Sequence, residues 1–225
     1  GRIKTFHQKL NDPDIQDMMV QLYPDDPFPR FQVDPGRFRN QSFFFALYGS
    51  SRRKIHADCQ SISLLGQSLL LHKKLTSVFK SLSAAITWLV KRKPKLRPFI
   101  IPPGGGFNWR LISGTTRLSP HSYGIAIDLN TERGGYWKWD QKRFGGNRSQ
   151  YRNRLMKLRN HYPSEIVKLF EKHQFIWGGK WYHYDLMHFE YRPELFIKRK
   201  LLHLFNAIQI MSPVLLSGCA VNIIF

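Results

Sequence analysis

Two short segments of this 225-residue chain concentrate side chains that can bind a metal ion or move a proton. The first is Ser119-Pro120-His121-Ser122-Tyr123-Gly124-Ile125-Ala126-Ile127-Asp128, and the second runs from Trp177 to Glu190, ending Asp185-Leu186-Met187-His188-Phe189-Glu190. A catalytic zinc ion takes three protein ligands from His, Asp, Glu or Cys and keeps a further position for water. His121 and Asp128 flank a glycine-containing turn into a strand, and the small Gly124 and Ala126 keep that turn close. His188, on a second strand, can close the set from a neighbouring position in a sheet. Two histidines and a carboxylate leave room for a water that the ion acidifies. That chemistry also needs a base to carry the proton to the leaving amine. Asp185, three residues before His188, is the preferred candidate. Glu190 is the alternative, because positions i and i+2 of a strand share a face.

The elements that must hold these groups are legible in part. Ile15, Met18, Met19 and Leu22 follow helical spacing, which predicts a helix over 14–23 with Asn11, Asp12 and Pro13 before it. A second helix is predicted over 75–90, with Val78, Leu82, Ile86 and Leu89 inward. The alternation Gly124 to Leu129 predicts a strand with Ile125, Ile127 and Leu129 on one face and Ala126 and Asp128 on the other. A helix starting at Ser164, with Ile166, Val167, Leu169 and Phe170 within it, and a strand near 186–191 follow. Residues 24–39 read as an irregular surface segment. The run Pro102 to Gly106 reads as a flexible turn, since no Lys-Ser or Lys-Thr follows it to hold phosphate. Residues 131–160 read as an insertion with little periodicity. Its Tyr136, Trp137 and Trp139 could line a groove or equally anchor the insertion to the core. The expected class is α+β, a small, mostly antiparallel sheet carrying the zinc site and flanked by helices.

The spacing Ser-x-His-x-x-Gly-x-Ala-x-Asp, followed some sixty residues later by Asp-x-x-His-Phe-Glu, resembles the D-alanyl-D-alanine carboxypeptidase family of zinc peptidases. That family includes VanX- and VanY-type enzymes and L-alanyl-D-glutamate endopeptidases. The resemblance spans about 104–195, and Asp34-Pro35-Gly36-Arg37 and Leu47-Tyr48-Gly49 resemble the N-terminal part of one bacterial branch. It implies one zinc ion per chain on His121, Asp128 and His188, with Asp185 as general base where many relatives carry the longer Glu. It also implies an arginine that holds an oxyanion or a substrate carboxylate, either Arg110 or Arg117. Ser119 is expected to brace the metal loop, and Ser119, Tyr123 and Trp181 to border the substrate. The implied reaction is hydrolysis of peptidoglycan stem peptides at D-Ala-D-Ala or L-Ala-D-Glu bonds.

Composition sets the outer bounds. A hydrophobic fraction of 42% with seventeen Phe and six Trp excludes a disordered polyelectrolyte. Thirty-five Lys and Arg against fifteen Asp and Glu give a net charge of +20, which draws the chain toward polyanions such as anionic wall polymers. A basic nucleic-acid-binding protein is the rival reading, as is a zinc-containing module that binds wall peptide without cutting it; no nucleic-acid partner is expected. Two cysteines, Cys59 and Cys219, are read as unpaired thiols. The chain opens at Gly1 without a charged-then-apolar leader, as a processed, exported protein of the periplasm or cell wall would. The expected division is an N-terminal segment 1–103 packed on a catalytic core 104–196, followed by a tail 197–225, uncharged from Leu201 onward, that is either packed or membrane-associated. His161, His173 and His183 have no partner pattern and read as structural.

Overall fold

The computed structural model describes residues 4–25, 30–113, 115–144 and 147–197. Helices α1 (Phe6–Asn11) and α2 (Ile15–Val20) open the chain. Asp14 caps α2: its carboxylate accepts from the Asp17 amide at 2.7 Å and the Asp17 carboxylate accepts from the Asp14 amide at 3.2 Å. The helix ends at Val20, before the predicted 23, because Gln21 is already extended. Asn40 caps α3 (Gln41–Tyr48), which Gly49 terminates at a positive φ of 100°. After α4 (Arg52–Ala57) comes a hairpin that the sequence reading did not anticipate, β1 (Cys59–Leu64) against β2 (Gln67–His72). Leu65 and Gly66, both at positive φ, form its turn. Its core face consists of Ile62, Leu64, Leu69 and Leu71, but serines and glutamines between them dilute the signal.

Helix α5 (Thr76–Arg92) buries Phe79, Leu82, Ile86, Leu89 and Val90. Val78, expected inward, is half-buried, and Phe79 takes the deeper place. The remaining elements are β3 (Ala126–Asp128), α6 (Trp137–Phe144), α7 (Arg148–His161), α8 (Ser164–Lys172), β4 (Phe175–Trp177) and β5 (His188–Tyr191). The second sheet runs β3–β5–β4 and is antiparallel throughout, so the fold is α+β as the sequence predicts. Ile125, Ile127 and Leu129 are fully buried on one face of β3, as alternation requires. The N-cap of α8 is Pro163 rather than Ser164, with no side-chain cap bond. The main hydrophobic core joins residues from both sides of position 103, including Phe44, Phe79, Tyr123 and Phe189.

Two stretches differ from expectation for physical reasons. Residues 131–160 carry two helices rather than an irregular insertion. α7 offers the core only Tyr151, Leu155 and Leu158, one narrow stripe at i, i+4, i+7 among many cations. Residues 30–39 are irregular, as read, yet Asp34, Arg37, Phe38 and Arg39 are buried. Buried irregular backbone needs side-chain partners. Here Trp181 Nε1 donates to Pro35 O at 2.6 Å, Arg192 Nη1 to Gly36 O at 2.6 Å, and the His183 amide to Asp34 Oδ1 at 2.9 Å. The segment is a strap over the second sheet. The tail after Ile197, including Cys219, lies outside the described residues, and among the described ones no helix is long and apolar enough to cross a membrane. Cys59 is a half-buried free thiol.

Gly36 is the tightest point of the strap. It adopts φ +91°, and an added Cβ would run into the Ile176 side chain and come within 3.3 Å of Arg192 Nη1. Gly36→Ala is expected to lower unfolding stability by about 1–3 kcal/mol, read from the midpoint of chemical denaturation at unchanged slope.

Candidate metal centre

Backbone pairing brings the three proposed ligands together. Asp128 and His188 are direct partners across β3 and β5, so their side chains project side by side from one face. His121 enters from a single 3-10 turn, Pro120–Tyr123, that immediately precedes β3. Ser119 starts that turn, its Oγ accepting from the His121 amide at 3.4 Å, and Gly124 ends it in the left-handed region at φ 66°. A side chain at Gly124 would also meet the His72 backbone nitrogen at 2.8 Å. Glycine is therefore required twice over, by conformation and by space.

The resulting cluster has His121 Nε2 at 3.2 Å from Asp128 Oδ2, His188 Nδ1 at 3.0 Å from Asp128 Oδ1, and the two histidine nitrogens 3.3 Å apart. Ligands bound tetrahedrally at about 2.0 Å lie about 3.3 Å from one another, so the donor set fits a zinc ion by type and by spacing. The tautomers fit as well. His121 Nδ1 donates to Gly106 O at 2.7 Å, leaving a lone pair on Nε2 toward the cluster. The glycine run that reads as a flexible turn thus acts as a bracket. Gly105 bridges to Asp128, and a Cβ on Gly106 would lie 2.5 Å from Leu70 O. His188 directs Nδ1 at the cluster and turns Nε2 toward Glu190 Oε2 at 3.6 Å.

Electrostatics separate the carboxylates. Burial opposes the charge on Asp128, but His121 and His188 hold its carboxyl well below the usual range. Burial likewise opposes the charge on Glu190, yet it is held far below that range by Arg39, which grips both its oxygens at 2.9 and 2.5 Å, and by Arg192 at 3.1 Å. Glu190 is fully buried on the far side of His188, with its hydrogen-bonding capacity taken up by arginines. Asp185 differs. Burial, aided by the charge of Asp128 and opposed by that of His188, pushes it up to about 6, and its Oδ1 is buried without a partner.

A cleft of about 410 Å³ opens over the cluster. Among the sequence-expected residues, Arg110, Ser119, Asp128, Trp181, Asp185 and His188 line it, as do Tyr136 and Trp139. Three others are placed elsewhere. Tyr123 is buried in the core against Phe44, Phe45 and Tyr48. Arg117 is buried behind the wall, its Nη1 donating to Arg37 O at 3.4 Å. Trp137 packs edge-on against His183, with ring centroids 4.6 Å apart. His183 itself is tied to Asp34 at 2.6 Å, and His173 and His161 bond to backbone oxygens of their own helices.

Two lining arginines were not singled out as site residues from the sequence, Arg37 and Arg39. Both come from the strap and lie over the Trp181 ring, at 5.4 and 5.8 Å, and Arg37 Nη1 donates to His183 O at 2.8 Å. The available signal was Asp34-Pro35-Gly36-Arg37, a turn-forming run ending in a cation, but nothing local tells that cation from the other basic residues.

Residues 113–191 match the family model of D-alanyl-D-alanine carboxypeptidases, a segment that holds all three candidate ligands and Asp185. No curated protein and no solved structure matches the chain. The family that the two motifs resemble is therefore the family whose model matches.

Metal binding is expected to be coupled to protons. Burial disfavours the charged form of His188, but Asp128 and Glu190 outweigh it and push the metal-free group up to about 9. At pH 7 the imidazole is protonated, and a cation must displace that proton. Zinc titrations in buffers of different ionisation enthalpy should show about one proton released per ion, with affinity weakening about tenfold per pH unit below 9. His188→Ala should remove most of the stoichiometric zinc measured by elemental analysis.

Proposed function

We propose that this chain is a zinc-dependent peptidase that hydrolyses D-amino-acid-containing bonds of peptidoglycan stem peptides, at a terminal D-Ala-D-Ala or at an L-Ala-D-Glu bond. The observation that carries the reading is the buried, unpartnered carboxylate oxygen of Asp185 in the same cleft as a two-histidine, one-aspartate cluster. A buried acceptor without a partner costs stability. Such an arrangement is understandable where a substrate or water completes it.

His121, Asp128 and His188 would hold the zinc, which supplies Lewis-acid polarisation of a carbonyl and lowers the pKa of a nearby water. The protein supplies the rest. Asp185, with its pKa near neutrality, takes a proton from the attacking water and returns it to the departing amine nitrogen. An acid of ordinary pKa would hold the proton too weakly to deliver it, so the burial that costs stability serves the transfer. Arg110 is exposed in the cleft and free to reach a developing or substrate anion. Arg37 adds a second positive group whose position is set by Trp181 and His183 O. Arg117 acts at one remove, propping the Arg37 backbone. Trp181 forms a wall, its indole fixed by the bond to Pro35 O. Arg37 and Arg110, facing a substrate rich in carboxylates, complement it electrostatically.

The reading places the chain at the cell wall, where its charge of +20 favours approach to anionic polymers. Asp185→Ala, in protein that still carries stoichiometric zinc, is expected to lower kcat on stem peptides by roughly 10²- to 10⁴-fold. Asp185→Glu should recover part of the loss. A wild-type protein that binds the peptides and never cuts them, with zinc in place, would instead identify a binding module.

A further inference from the structure

Trp139 is 54% exposed, although large aromatic rings are normally buried, and it stands on the wall of the cleft that holds the metal cluster. It is not a loose side chain. Its amide donates to Tyr136 O at 3.0 Å, and the Tyr136 ring braces it edge-on at 5.7 Å and 84°. Tyr136 is itself bridged through its backbone to Asp185. The helix α6 that carries Trp139 is anchored on both sides. The Trp137 amide donates to Tyr184 O at 3.0 Å, and Lys138 Nζ to Ser113 O at 2.7 Å. The indole is therefore held in register with the proposed proton carrier while most of its surface stays open.

We infer that Trp139 is a binding platform for a sugar ring carried next to the scissile peptide bond. This rests on the peptidase reading for its substrate. A flat indole face, open on its outer side, suits a ring that is apolar on one face and polar around its edge. An aliphatic side chain would gain more from an enclosed pocket. Polar residues that line the same cleft, Arg110, Ser113 and Thr131, can meet the hydroxyl and acetamido groups at the ring's edge.

Proximity then selects the bond. Trp139 lies one helical turn from Tyr136, whose backbone bridges to that of Asp185, and an extended residue spans about 3.5 Å. A sugar seated on Trp139 leaves space for no more than one or two residues before the metal cluster. In a wall stem peptide the sugar is attached at the amino end, so the bond within reach is L-Ala-D-Glu, and the terminal D-Ala-D-Ala bond lies beyond it.

The test compares one stem pentapeptide with and without an N-acetylmuramyl group at its amino end. Affinities are measured by calorimetry on the full, zinc-loaded chain carrying Asp185→Asn, so that turnover does not intervene. The muramyl peptide should bind roughly tenfold more tightly than the free peptide. Trp139→Ala should bring that ratio to about one, and Trp139→Phe should keep part of it. Trp88→Ala, which removes another exposed tryptophan that does not line the cleft, should leave the ratio unchanged. With the Asp185 protein, mass spectrometry should show N-acetylmuramyl-L-alanine as a product. Equal affinities in the Asp185→Asn protein with Trp139 intact, or a ratio that survives Trp139→Ala, would overturn the platform. Release of terminal D-Ala in place of that product would overturn the placement of the sugar. A ratio that depends on Trp139 without turnover of either peptide would uphold the sugar site and reject the peptidase reading.

Discussion

The structure depends on one constraint, which is that three polar groups must meet within about 3.3 Å of each other in a largely buried place. Unpaired, each would pay heavily for leaving water. The protein meets this with backbone first. The pairing of Asp128 with His188 makes two of the three neighbours by register alone, and a one-residue slip of either strand would put the two side chains on opposite faces. The third, His121, needs a turn too tight for any side chain at Gly124. The flanking core residues Ile125, Ile127, Leu129 and Phe189 then serve the site, because their burial prevents that slip.

Around the cluster, charge is arranged in layers that keep the acids distinct. Glu190, two residues from His188 on the same strand, is committed to Arg39 and Arg192 and serves as a fixed counter-charge behind the imidazole. Asp185 lacks such partners, so its carboxyl stays close to neutrality in its titration. Two carboxylates five residues apart in sequence thus have opposite chemistry, and the cause is which arginines reach them. Isolated buried ion pairs are weak sources of stability. The Arg39–Glu190–Arg192 group is better understood as fixing geometry behind a ligand.

The strap of residues 30–39 extends the site beyond the segment that matches the family model. Its backbone oxygens are taken up by Trp181 and Arg192, and its two arginines close the cleft over that same tryptophan. Tyr136 and Trp139, at the start of α6 and within it, line the same cleft. The strands that carry the candidate metal ligands are therefore a shared base, and the walls come from segments with little regular hydrophobic pattern. Loops and insertions on a rigid scaffold are where binding preferences are generally set.

The sequence by itself determined the candidate ligand cluster and the strand around Asp128. Those features rest on local rules: residue type, the spacing of two short motifs, and an alternation with period two that a single strand displays in full. It also determined the longer helices wherever their apolar stripe is wide, as in α5 and α8. Only the tertiary structure decided the remainder. Asp185 and Glu190 look alike in sequence, and Arg39, which grips both oxygens of Glu190, comes from 151 positions away. Arg110 could not be told from Arg117, since one faces the cleft and the other is buried away from it through packing alone. The strap, the Ser-rich hairpin and α7 stayed hidden for the same reason. Each is stabilised mainly by what it touches across the fold, and a contact between distant residues leaves no periodic mark on either segment.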